Sequence, residues 1–412
     1  MGELQKAFKE YTGNVPKLLL GELFRKKLHD AGRSTDDEFV DGLVERIFNG
    51  NSDVFHWDDG TEDTVTLSLT DEDIQELDRK TKKFLKDDLP LLIVDSASSA
   101  ALEIVKTLRS NWPEQYISEA TNSFGFRERL ELRWGKPLAF LRMILTVSRE
   151  MGGEKYRKFQ NSRSERNRYK NEVLFRLQAR ACQIMSEIEH LLSAGFADGA
   201  MARWRTMHEI CVIAELIAEH GDDLAERYLA HNAVENSRGL KLFEDTYKQL
   251  GYSPPSKRKA AAVHNEFAKV IANYGQDFKN EYGWAAKVIG KSSPRFVDLE
   301  VAAGRARMRS HYKMASYMVH AGVKGITFNL GTVGNEVFAL AGSSNAGLEE
   351  PGQNAAITMT QINLTLFGAQ PIFDDIVMMK VLASLQEHTV EEFVRAGRKL
   401  TREERELRKQ NN

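Results

Sequence analysis

The chain has 412 residues, 42% of them hydrophobic, and a formal net charge of −2. That content supplies a sizeable core and excludes an intrinsically disordered protein. The near-neutral balance excludes a globally basic nucleic-acid binder, so any RNA or DNA contact has to come from a local patch. Cys182 and Cys211, the two cysteines, lack zinc-site spacing, the N-terminus MGELQKAFKEYTG has no apolar signal core, and no apolar run nears the ~20 residues of a membrane span. The expectation is a cytoplasmic protein with no membrane partner, no metal and no cofactor.

Residues 1–153 read as a mainly helical N-terminal region. Ser34-Thr35-Asp36-Asp37-Glu38 has the character of a capping box ahead of Phe39, Val40, Leu43, Ile47 and Phe48. Thr64–Thr70 alternates, as a short strand or as the lead-in to a helix capped at Thr70. A helical run opening at Asp88–Ile93 passes Leu102, Val105 and Leu108 and is expected to stop near Asn111-Trp112-Pro113. Pro137–Glu150 reads as a buried helix. Met151–Arg168 is polar, basic and opens on paired glycines. It is read as the domain boundary, a solvated linker rather than a phosphate-binding arm.

Residues 162–390 read as a C-terminal helical bundle. A first helix ends near Ser193, with Gly195 placed for a left-handed cap; a second runs from an N-cap at Asp198 to His220, stopped by Gly221. A third takes Asp222 as its N-cap and carries Leu224, Tyr228, His231 and Glu235 on one stripe. Turning about 100° per residue puts Trp204, His208, Cys211 and Glu215 on one face of the second helix, and lets Arg205 pair with Glu209. Arg203 leaves from a largely apolar face. Buried polar groups of this kind are either paired for packing or kept for chemistry.

Further on, a helix from Lys257 reaches Tyr274, and FKNEYGWAA (Phe278–Ala286) forms an aromatic loop of packing anchors. Ser293-Pro294 opens another helix. On Gly304–His320, Met308, Tyr312, Ala315 and Val319 make a core stripe beside a cationic one of Arg309, Lys313, Ser316 and His320. Gly331–Gly352 reads as a movable cover with Asn345 pointing into a cleft. An apolar helix spans Ile357–Leu385, and residues 391–412 read as an exposed, fraying helical tail. Nothing supplies a doubly wound sheet, a Walker loop, GxGxxG or HExxH. The fold class is all-α, a helical bundle with a helical N-terminal region.

The runs GFADGAMARWRTMHE (Gly195–Glu209), ERYLAH (Glu226–His231), YGWA (Tyr282–Ala285), HYKMASYMVHAG (His311–Gly322) and GSSNAGLEEPG (Gly342–Gly352), in this order, resemble a prokaryotic domain-of-unknown-function family, number 5677. The resemblance covers roughly Arg166 to Leu385. It implies a helical fold and no particular activity.

A helical chain with buried Arg and His is also similar to the metal-free HEPN ribonucleases, whose signature is Arg, four to six residues, then His on a helix. Such an enzyme needs a proton-transfer group and a cation near the phosphorus. Arg203–His208, Arg258–His264 and Arg305–His311 meet the spacing, which chance alone supplies roughly twice in such a composition. None has the polar residue those enzymes favour directly after the arginine. A carboxylate-bridged di-metal bundle needs two Glu-x-x-His pairs, and only Glu187–His190 is found.

The resulting expectation is an RNA-cleaving, metal-independent effector in antiviral defence. Arg203, His208, Arg309 and His320 would be catalytic, and Arg205, Tyr228, His231, Tyr312, Ser316 and Asn345 would bind substrate. Arg203, His208, His231 and His320 are expected to converge in one cleft. The alternative is a non-enzymatic nucleotide- or partner-binding module of a defence or signalling operon. Expected partners are RNA or a nucleotide, with a second copy of the chain or an operon-encoded protein beside them.

Overall fold

In the computed structural model, residues 2–33, 36–50, 65–161, 166–332, 339–368 and 371–411 are described, and every regular element among them is helical. By compactness the chain divides into Met1–Glu119 and Ala120–Asn412.

The first unit holds α1 (Glu3–Gly13), α2 (Val15–Asp30), α3 (Asp37–Phe48), α4 (Asp71–Lys83) and the beginning of α5 (Leu89–Asn161). Its small core is Leu20, Phe24 and Leu28 of α2 against Phe39, Val40 and Val44 of α3. Asp36 caps α3 by accepting from the Phe39 N–H at 2.9 Å; Ser34, Thr35 and Thr64 lie outside the described residues. The alternating segment is a lead-in and not a strand. Thr70 caps α4 in a reciprocal box with Asp73, whose carboxylate also takes Lys27 at 2.6 Å. A wide π turn, Phe84–Asp88, joins α4 to α5.

Helix α5 overturns two expectations. It does not stop at Pro113, because the surrounding turns are exposed and water can take the carbonyl that the missing proline N–H leaves free. It also runs through Met151 to Asn161, where a linker was expected. Gly152 is buried there because Gln178 crosses it: an added Cβ would come within 2.5 Å of the Gln178 amide oxygen. Paired glycines marked a close helix crossing rather than a flexible joint.

The second unit is built on α6 (Arg168–Ser193), α7 (Ala197–His220), α15 (Glu349–Phe367) and α16 (Phe373–Asn411), packed with the C-terminal part of α5. Its core takes Trp134, Leu138, Leu141 and Ile144 from α5, Ile184 and Ile188 from α6, Trp204 and Met207 from α7, Met359 from α15 and Phe393 from α16. Between α7 and α15 run α8 (Asp222–Ala230), α9 (Asn232–Thr246), α10 (Lys257–Tyr274), α11 (Ala286–Ile289), α12 (Phe296–Ala302), α13 (Arg309–Tyr317) and α14 (Val323–Thr327).

Gly195 takes φ 80°, as its cap position requires, and Gly221 ends α7 with φ 76°. The two expected aspartate N-caps serve donors far along the chain instead. Asp198 is the second residue of α7 and accepts from the Leu330 N–H at 2.7 Å. Asp222 accepts from the Lys170 N–H at 2.8 Å, satisfying a donor in the first turn of α6.

The single stripe through His231 is in fact two helices, broken at that residue. The apolar run from Ile357 breaks between Phe367 and Phe373, where Gly368 and Pro371 fall. The tail is helical but not exposed throughout, since Phe393 and Ala396 pack into the core. No helix among the described residues is long and apolar enough to cross a membrane.

Candidate functional site

Trp204 anchors the site. It is fully buried on α7, and its indole N–H donates to the Asn354 carbonyl at 3.1 Å and to Thr358 Oγ1 at 2.9 Å, both on α15. One turn on, the His208 ring lies 5.4 Å from the indole and donates from Nε2 to Glu300 Oε1 at 3.0 Å. Glu300, on α12, is completely buried, and its other oxygen accepts from Arg309 Nη1 of α13 at 2.6 Å. A buried carboxylate is tolerable only when paired and hydrogen-bonded, and here a cation and an imidazole share that work.

Beside this pair, Tyr312 of α13 donates its hydroxyl to Glu209 at 2.6 Å and accepts from Arg205 at 2.8 Å. Arg205 and Glu209 also pair along α7 at 3.3 Å, the helix pair read from their spacing. The guanidinium carbons of Arg205 and Arg309 lie 4.9 and 5.2 Å from the centre of the Tyr312 ring, within cation–π range. Burial pushes the Tyr312 phenol up to about 12, and the carboxylate of Glu209 adds to the effect. Burial, followed by the neighbouring Glu281 carboxylate, also pushes the Tyr282 phenol up. Nε of Arg205 is buried without a hydrogen-bond partner.

The network continues along α7. Glu215 is paired with Arg305, Nε lying 2.6 Å from the carboxylate, and His311 is paired with Glu350 at the start of α15. His311 approaches Trp204 edge-on at 6.5 Å, so two His–Glu pairs flank one buried indole.

Of the expected site residues, the structure brings together Arg205, His208, Arg309 and Tyr312. Arg203 turns to α6, where it meets Glu187 at 2.5 Å. Ser316 donates to the backbone carbonyl of Tyr312. His320 lies past the end of α13 and is exposed, because the helix stops at Tyr317 instead of carrying the cationic stripe a further turn. Val319, expected in the core stripe, is also exposed.

Tyr228 and His231 belong to a second polar cluster. His231 donates to the Asn280 carbonyl at 2.9 Å, Tyr228 meets Trp284 edge-on at 5.0 Å, and burial holds the imidazole below its ordinary range. Arg227 joins them, donating to the Trp284 carbonyl at 3.2 Å.

Asn345 does not point into the polar cluster. Its side-chain oxygen accepts from the Trp134 indole at 2.8 Å. The described part of the glycine-rich stretch is tied down: Ser344 N–H donates to the Gly195 carbonyl at 2.9 Å, and Ser344 Oγ donates to the Gly331 carbonyl at 2.6 Å. Residues 333–338 of the expected cover lie outside the described residues.

Sequence reasoning missed Glu300, Arg227 and the His311–Glu350 pair. Glu300 was findable: four residues after Phe296, it lies on the apolar face of a short helix. Glu187 is taken by Arg203 and the other member of its pair, His190, is exposed. Among the described residues no group of three or more His, Cys, Asp or Glu is placed to hold a metal ion.

The charged and aromatic side chains of the two polar clusters, Glu350 excepted, fall within residues 171–337, which match the Family of unknown function (DUF5677). This stretch, less than half of the chain, is similar to that family. No curated protein and no solved structure matches the chain. The matched region begins in the first turn of α6 and contains α7, α13 and, apart from Glu350, the charged and aromatic side chains of both polar clusters.

Proposed function

We propose that the family-matched region is a binding module for a phosphate-bearing ligand, a nucleotide or a short RNA, with Arg205, Arg309 and Tyr312 as its recognition face. The observation that carries this reading is the placing of two arginines over one tyrosine ring. Both are oriented by carboxylates, and their side chains are still 26% and 44% exposed. Guanidinium groups held this way keep free donors for phosphate oxygens and lose little side-chain freedom on binding. His208 and Glu300 lie beneath, at 2% and 0% exposure, which suits orientation of Arg309 rather than contact with a ligand. The setting in a defence or signalling operon remains part of the proposal.

Metal-independent RNA cleavage is the second reading, and the His311–Glu350 pair favours it. His311 is 37% exposed, near the arginines in sequence, and oriented by a carboxylate, as a proton-transfer group needs to be. His320, just past the end of the Arg309 helix, is also solvent-accessible.

Fluorescence anisotropy with a labelled oligoribonucleotide and with a nucleoside triphosphate tests the binding reading. Arg205→Ala and Arg309→Ala should each weaken binding by at least ~10-fold, since a charge-assisted contact contributes about 1.5–3 kcal/mol. Arg203→Ala, whose side chain is engaged by Glu187, should leave affinity unchanged. Equal affinity in all three variants would sink the proposal. The same RNA incubated in excess EDTA tests cleavage: His311→Ala or His320→Ala should lower the rate ~10²–10⁴-fold, and intact RNA with the wild-type protein removes the nuclease reading.

A further inference from the structure

We propose that the Leu89–Glu119 portion of α5 is a self-association surface, on which a second copy of this chain packs its own α5 antiparallel. From Leu91 to Ile117 ten large apolar side chains are between 45% and 71% exposed. Soluble monomers rarely leave contiguous apolar patches above a few hundred Å² open to water.

The pattern on this stretch is organised. At about 100° per residue, Leu91, Val94, Ser98, Ala101, Val105 and Leu108 fall in one sector about 120° wide, continued by Trp112 and Tyr116. Their alternating spacing of three and four is that of a helix–helix seam. Glu103, Lys106, Ser110 and Glu114 lie on the opposite side.

Three observations make the occupant a second copy. Read backwards, the order Leu-Val-Ser-Ala-Val-Leu changes only by the exchange of the small residues Ser98 and Ala101 at its centre. An antiparallel partner centred between Ser98 and Ala101 therefore meets leucine with leucine, valine with valine, and small with small. Such self-complementarity is what a two-fold interface requires. Next, Arg109 lies inside the sector at the angle of Leu91, and the antiparallel register sets it beside the end of the other copy that carries Asp87, Asp88 and Asp95. Finally, in this register the facing apolar stretch runs from Leu91 to Leu108, about 26 Å at 1.5 Å per residue, and covering it would bury roughly 500 Å² per copy, the low end for a specific interface.

The small residues at the centre allow close approach of the two helices. The large ones at both ends supply most of the buried area.

Sedimentation equilibrium of the full chain over a wide dilution series tests the proposal. Wild-type protein and Ser110→Glu, which changes the opposite face, should both be dimers. Val105→Glu with Leu108→Glu should weaken association by roughly 100-fold or more, because the seam would bury unpaired carboxylates. Helical content by circular dichroism and the unfolding curve check that this variant folds, and Val105→Ser with Leu108→Ser gives the same readout with a milder change. A wild-type chain that stays monomeric overturns the proposal, and it does so equally if that monomer floats with lipid vesicles instead. A dimer whose affinity is unchanged in the folded double variants places the interface elsewhere and also overturns it.

Discussion

His208 and Glu300 meet at 3.0 Å with 2% and 0% of their side chains exposed, joining α7 to α12 within the family-matched region. Removing one partner leaves the other buried without compensation. Glu300→Ala should therefore cost about 3–5 kcal/mol, whereas Arg309→Ala, whose side chain is 44% exposed, should cost roughly 1 kcal/mol. Urea denaturation of the two variants checks the ranking. Equal losses would mean that Arg309, and not His208, carries the compensation of the buried carboxylate.

The raised phenol of Tyr312 predicts an alkaline limit. The unfolded phenol releases its proton near pH 10, while the folded one keeps it to about 12. Between these values the native state binds more protons than the unfolded state. Stability from this group is thus fully present below pH 10 and lost as pH rises through the folded value. Tyr312→Phe should flatten part of that fall. Unfolding free energies at successive pH values, with ultraviolet titration of the phenolates, measure it; an unchanged slope in the variant would contradict the assignment.

The glycine-rich stretch should behave as tethered wherever it is described. The Leu330 amide, held by Asp198, and the Ser344 amide, held by the Gly195 carbonyl, should be protected in hydrogen exchange. Asp198→Ala should release the first and spare the second. Gly347→Ala should cost ~1–3 kcal/mol, because the residue sits at φ 77° with the Leu330 carbonyl against the place of a Cβ. Free exchange at both wild-type amides would restore the reading of a movable cover.

Both thiols should be inert in the native state. Burial pushes Cys182 and Cys211 up to about 11, so little thiolate is present at pH 8. A thiol-specific disulfide reagent should modify neither cysteine in the folded chain and both in guanidinium chloride. Fast modification of the native protein would show that one of the two is open to solvent.

Local signals were legible where chemistry is local. The helix cap at Thr70 (one of the two readings of its segment), the α10 span from Lys257 to Tyr274, the left-handed Gly195 and the Arg205–Glu209 pair each depend on residues within a turn or two. Boundaries failed where solvent or packing decides. Pro113 sits in a helix whose free carbonyl faces water, and Gly152 in one whose missing side chain admits Gln178. Asp198 and Asp222 have the composition of N-caps, but the donors they satisfy lie 132 and 52 residues away.

What the sequence determined by itself was the helical class and the faces of α7, because a 3.6-residue period and apolar spacing are properties of the chain alone. The tertiary structure alone decided which polar residues meet. Arg203 and Arg205 are two residues apart and project about 200° apart around α7, so one pairs with Glu187 on α6 and the other with Tyr312 on α13. Glu300, which orients both His208 and Arg309, arrives from 92 residues beyond the histidine. Partners at that separation leave no periodicity to read, and only the packing of α12 and α13 against α7 selects them.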